Sequence, residues 1–230
     1  MSFIARYGRP LAALSVVVGC AVVLSSASDV PFTVHQKAYY LDQKTVDFVR
    51  PGLVIKITGV NIATDGTIRA RFRLSDPRGL PLDRLGITTP GAISVSLVAA
   101  TIPKGQTQYT AYTTRVATSP ITNVTAVQAG TDANGVFEKS AEGEYQYTFN
   151  TKAPATLDRT ATHSVGVYSS RNLTEFDLGT QYGNDVYTFV PDGSKVTTVR
   201  DIVRTATCNA RCHDPLIGHG ARRQVELCVL

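Results

Sequence analysis

The sequence predicts a mainly β fold, an antiparallel β-sandwich or Greek-key barrel, followed by the start of a loop-rich segment. Three observations carry this. Short runs alternate apolar and polar residues with period two, Gly, Pro, Asn and Asp punctuate them, and helical periodicity is nearly absent. Regularly spaced short strands with turn signals between them mark sandwiches and barrels.

Taken in order, the first helical hint is "DQKTVDFV" at 42–49. Residues 52–76 then hold two strand-like runs separated by the turn signal "TDG" at 64–66. In the second run Ile68, Ala70, Phe72 and Leu74 alternate with Arg69, Arg71, Arg73 and Ser75. That is a strand with one face buried and a row of arginines on its solvated face. Residues 92–102 alternate until "PKG" breaks them, and 107–116 is rich in the strand formers Thr and Tyr. "TNVTAVQAG" at 122–130 is a weaker strand. "KSAEG" reads as a polar turn before 143–151, where Tyr145, Tyr147 and Phe149 alternate with polar neighbours. Residues 162–171 and 185–193 complete a set of about seven to nine strands. No repeat or low-complexity linker divides them, so residues 29–199 form one expected β domain.

Hydrophobic residues make up 43% of the 230 and charged residues 18%, a globular balance. With no Trp and one Met, the core falls to aliphatic residues, Phe and Tyr. The net charge of +5 is dispersed, without the basic, aromatic-interleaved stripe of a nucleic-acid binder, so no nucleic-acid partner is expected. His35 and His163 lack the context of a catalytic triad. Asp76 and Asp83 in the Pro- and Gly-rich stretch 75–86 are turn-capping candidates, with a hard cation as the alternative. Asn123 and Asn172 lie in N-x-T sequons, which matter only in a eukaryotic secretory pathway.

Residues 1–28 read as an export signal. Arg6 and Arg9 precede an apolar run at 11–24, and "SSAS" supplies small residues before Asp29. The run is shorter than the roughly 20 residues of a membrane-spanning helix. "VVGC", ending at Cys20, matches a bacterial lipobox, although the apolar "AVVL" after it is unlike a mature lipoprotein. Without lipidation, Cys20 leaves with the signal and Cys208, Cys212 and Cys228 remain. An odd number of thiols in an exported chain points beyond a pure disulfide framework.

Those thiols cluster with histidines. "CNARCHDPLIGHGARR" places Cys208, Cys212, His213 and His219 within 208–223. In C-x-x-C-H sites the thiols add to haem vinyl groups and the adjacent imidazole ligates iron. Here the spacer is one residue longer. His213 is the proximal candidate and His219 the distal one, with Gly218 and Gly220 leaving room beside it. Arg222 and Arg223 suit haem propionates or solvent. The same thiols, a histidine and Cys228 also make a Cys3His zinc set, and a Cys208–Cys212 disulfide or free thiols are the remaining reading.

Residues 199–230, "VRDIVRTATCNARCHDPLIGHGARRQVELCVL", resemble the junction between the β domain and the first haem segment of the OmcA/MtrC family of outer-membrane decahaem c-type cytochromes. "RPGLVIKI", "DPRGLPLDRLG", "IPKGQTQYTAYTTR" and "TKAP" resemble the β domain of the same family. The resemblance implies covalent haem c on Cys208 and Cys212, with His213 proximal and His219 distal to this or a neighbouring haem. It makes Cys228 the first cysteine of a second haem motif, so that residues 200–230 begin a multihaem domain that stops short in this chain. It further implies an electron carrier rather than an enzyme, any metal reductase activity belonging to a full-length parent. Its partners would be other cytochromes, a porin–cytochrome complex and extracellular acceptors, at the outer membrane or in the periplasm. Arg211 lengthens the spacer and Ala221 replaces a family glycine. An exported structural or adhesive sandwich with a vestigial haem site, and a zinc-stabilised binding module, are the alternatives.

Overall fold

The structure is a computed structural model and describes residues 32–200, all within the unit Pro31–Leu230. Two four-stranded antiparallel sheets enclose one core. The first contains β1 (Val54–Ile62), β2 (Thr67–Ser75), β7 (Val136–Ala141) and β8 (Glu144–Lys152), in the order β1-β2-β8-β7. The second contains β3 (Ile93–Ile102), β4 (Thr110–Ala111), β9 (Thr162–Asn172) and β10 (Thr180–Phe189), in the order β10-β9-β3-β4. A separate two-stranded ribbon pairs β5 (Thr114–Thr118) with β6 (Thr125–Ala129). The one α-helix among the described residues is α1 (Gln43–Val49).

The alternation read in 67–76 decides the inward face of the first sheet. Ile68, Ala70, Phe72 and Leu74 are buried, whereas Arg71 and Arg73 face solvent and Arg69 is half-buried on the same outer side. Tyr145, Tyr147 and Phe149 of β8 bury beside them and meet Ile93, Leu97, Val165 and Val167 from the second sheet. Each large side chain so buried contributes about 1.5–3 kcal/mol. The sheets are fastened at one corner by Asp185 on β10. Its carboxylate accepts from the Ile57 amide of β1 at 2.7 Å and from Lys56 at 2.8 Å, next to the irregularity between Ile57 and Gly59.

The sandwich expectation holds, and the barrel alternative is corrected: among the described residues neither sheet closes on itself. The expected turn at 139–143 is also corrected. Only the end of that stretch turns, and residues 136–141 form the edge strand β7. β10 begins at Thr180, ahead of the expected 185. The helical hint at 42–49 is realised as α1, capped by Asp42, whose side chain accepts from the Thr45 amide. Val46 and Val49 of α1 join Phe32, Ala38, Leu173 and Leu178 in a second, smaller core.

Candidate functional site

Cys20, Cys208, Cys212, His213, His219 and Cys228 lie outside the described residues, as do Arg222 and Arg223. What the structure positions is the end of the sandwich from which the chain runs toward that cluster. Phe189 at the end of β10 pairs with His163 near the start of β9, Ile102 pairs with Thr162, and Thr101 with Thr110. The ends of β3 and β10 and the beginnings of β4 and β9 therefore share one rim. Beyond β10 the chain continues to Arg200, whose guanidinium lies 5.9 Å from the centroid of the Tyr109 ring. A depression of about 570 Å³ opens on the same rim, lined by Asn61, Arg159, Tyr187, Phe189 and Val196. Arg159 is held there by donating to the Ile62 carbonyl at 2.9 Å.

Beneath this rim is a buried polar network. His163 is 1% exposed. One ring nitrogen, Nε2, meets Tyr112 Oη at 2.8 Å, and the other, Nδ1, meets the Ala161 carbonyl at 2.9 Å. Burial lowers the imidazole pKa, with the Ala161 carbonyl opposing, and burial likewise raises the Tyr112 phenol. Both ring nitrogens are committed, so His163 has no lone pair to give a metal. His35 is exposed in the segment before α1.

The two carboxylates of the Pro- and Gly-rich stretch are turn anchors. Asp76 Oδ1 accepts from the amides of Arg78 and Leu80, and Oδ2 from Arg78 Nε. Asp83 accepts from the amides of Leu85, Ile87 and Thr88 and from Tyr145 Oη. Burial acts to raise the Asp83 pKa, but those donors outweigh it and the carboxyl lies below its ordinary value. Their acceptor sites are thus occupied by the protein, and no group of three or more His, Cys, Asp or Glu suited to a metal occurs among the described residues. No described helix is long and apolar enough to cross a membrane.

The residue that sequence reasoning missed is Arg171, fully buried at the end of β9. Its guanidinium donates to the carbonyls of Val49, Arg50, Gly52 and Pro90. Burial pushes its pKa down to about 10, so it remains a cation at neutral pH. The signal was present: Arg171 stands in phase with Val165 and Val167 on the inward side of its strand.

The chain is similar to the outer-membrane decahaem cytochrome OmcA, with a TM-score of 0.54 and 20% identity over 75% of this chain and 28% of that one. It is similar to MtrC from Shewanella baltica OS185, with a TM-score of 0.51 and 23% identity over 74% of this chain and 28% of that one. The shared feature is the fold. The chain spans just over a quarter of the length of each. No family model matches it, and no curated protein does. The resemblance to OmcA and MtrC expected from the sequence is thus met at the level of architecture.

Proposed function

We propose that this chain is the N-terminal part of an exported multihaem c-type cytochrome, with residues 1–28 as its export signal and 200–230 as the beginning of its haem-bearing domain. The observation that carries the reading is a coincidence of two independent features. The described sandwich has the fold of OmcA and MtrC, and the segment following it carries Cys208, Cys212 and His213 in the order that haem attachment requires.

The donor set fits the group chemically. Two thiols supply thioether anchors, the adjacent imidazole of His213 supplies a nitrogen donor, and His219 supplies a second. Haem bound there would contribute a one-electron couple. The chain's own residues hold it, orient it and set its surroundings, while the sandwich serves as scaffold and docking surface. Cys228 would open a second attachment site. Lipidation at Cys20, other cytochromes or a porin–cytochrome complex as partners, and extracellular acceptors belong to the same reading. No bond-making active site is required.

The test is expression of the chain with a periplasmic haem-maturation system, followed by intact mass and a visible spectrum. A mass gain of one haem with a low-spin c-type spectrum, both lost in Cys208→Ala, supports the proposal. An unmodified mass without a Soret band sinks it. Stoichiometric zinc in that second case would assign the cluster to a Cys3His site instead.

A further inference from the structure

The β5–β6 ribbon is the part of the described molecule whose composition and position disagree. From Val116 through Thr131 the sequence has no charged residue. Val116 and Val127 face each other across the ribbon and are 71% and 70% exposed. Thr118 and Thr125, bonded through their hydroxyls at 2.9 Å, continue the same face toward a tip with Val124 and Ile121 exposed. Two-stranded ribbons alone are marginal in water, and open edges are usually protected by Lys, by bulges or by a covering element. Here the protection is limited to Arg115 at the base and Pro120 at the tip.

The ribbon's root fixes where its face is presented. Thr113 anchors it, with Oγ1 accepting from the Ala99 amide at 3.1 Å and its carbonyl accepting from the Gly130 amide at 3.1 Å. Ala99 lies on β3 close to Ile102 at the rim, beside the β4 edge. Arg200 reaches the same edge, over Tyr109, the residue before β4. The chain that continues beyond Arg200 therefore leaves from the side of Tyr109, four residues before the ribbon's root at Thr113.

We propose that the uncharged face of the β5–β6 ribbon is a docking surface for this chain's own segment 201–230. The segment has matching chemistry, with Ile202, Val203, Leu216, Ile217, Val225 and Leu227 spaced along it. Reach is ample: a segment of that length extends to at most about 100 Å, while a five-residue strand is about 17 Å long. Docking buries Val116 and Val127, which are otherwise exposed on that face. It does not depend on whether Cys208 and Cys212 carry haem, because the contact is made by the polypeptide.

The experiment is hydrogen exchange by mass spectrometry on the full chain, unaltered and as the double variant Val116→Lys/Val127→Lys, with light scattering on both. The expected result is a monomer in which the variant raises exchange across 201–230 by about tenfold and leaves β1, β2 and β9 unchanged. The milder pair Val116→Thr/Val127→Thr should move the same peptides in the same direction, which guards against misfolding of the lysine variant. Exchange across 201–230 that is indifferent to both pairs overturns the proposal. So does a concentration-dependent dimer abolished by the substitutions, since a second copy would then be the occupant.

Discussion

Arg171 Nη2 donates to the Val49 carbonyl at 2.6 Å, tying the end of β9 to the end of α1. Val49 is the last residue of α1, and the next residue, Arg50, turns left-handed with φ of 51°. Carbonyls at a helix end lack intrahelical donors, and here a buried cation from a distant strand satisfies them. The same guanidinium reaches Pro90 before β3, so one side chain joins α1, β9 and the loop leading into β3. This makes the small core around α1 a continuation of the sandwich rather than an appendage.

Replacing it should therefore be severe. Arg171→Met leaves several buried carbonyls without donors, each worth about 1–3 kcal/mol, and we expect a total loss of at least 3 kcal/mol. Arg171→Lys should recover only part of this, because an ammonium cannot reach four carbonyls in the planar arrangement of a guanidinium. Urea unfolding of the two variants checks the order, and equal stability of wild type and Arg171→Met would refute the role.

Much of the sandwich is legible in the sequence because period-two alternation reports a one-sided strand, as in β2 and β8. β7 escaped because it is an edge strand with nearly all its side chains exposed, so nothing in "VFEKSA" alternates. The first half of β10 escaped because "TQYGN" is polar. Its place is set by pairing with β9, from Thr180 opposite Asn172 to Phe189 opposite His163, a relation between distant segments that no local window contains. The cysteine–histidine cluster stands out for the opposite reason: Cys208, Cys212, His213 and His219 lie close together in sequence, so a local window contains them. The anchoring role of Arg171 needed the fold, because its carbonyl partners lie in two segments, 49–52 and Pro90, both far from it in sequence.

His163 gives the fold a defined acid sensitivity. Its folded-state pKa lies below its ordinary value of 6.5, so between the two the unfolded chain binds the proton that the folded chain refuses. Stability then rises with pH through that window and falls as pH drops below about 6.5. The lowered carboxyls, such as Asp42 and Asp158, act in a different range. Their contribution is present above their ordinary value of 3.8 and is lost only as pH falls below it. Melting temperatures at pH 7 and pH 5 should therefore differ more for wild type than for His163→Gln. A similar decrease in both would remove His163 as the cause.

Asp83 should behave as a turn anchor rather than a cation ligand. Asp83→Asn loses an anionic acceptor for the amides of Leu85, Ile87 and Thr88 and for Tyr145 Oη, and should cost about 1–3 kcal/mol. Calcium or magnesium should leave the wild-type melting temperature unchanged, because those donors already occupy the carboxylate. A rise on adding either cation, absent in Asp83→Asn, would reverse the assignment.

The spacer between Cys208 and Cys212 sets the last expectation, which rests on the haem reading. Attachment joins both sulfurs to vinyl groups fixed on one rigid macrocycle, so the peptide between the thiols must match a set separation. Asn209, Ala210 and Arg211 make that peptide one residue longer than the recognised spacer. Deleting Arg211 restores two residues and leaves the Cys–His adjacency intact. Expressed with the maturation system, the deletion variant should carry covalent haem in a larger fraction of molecules than the unaltered chain, read by intact mass. His213→Ala in that background should keep the thioethers but lose the low-spin spectrum, because on that reading His213 would supply the proximal nitrogen. A deletion variant loaded no better than the parent would show that spacing does not limit attachment, and the extra residue would then need a role of its own.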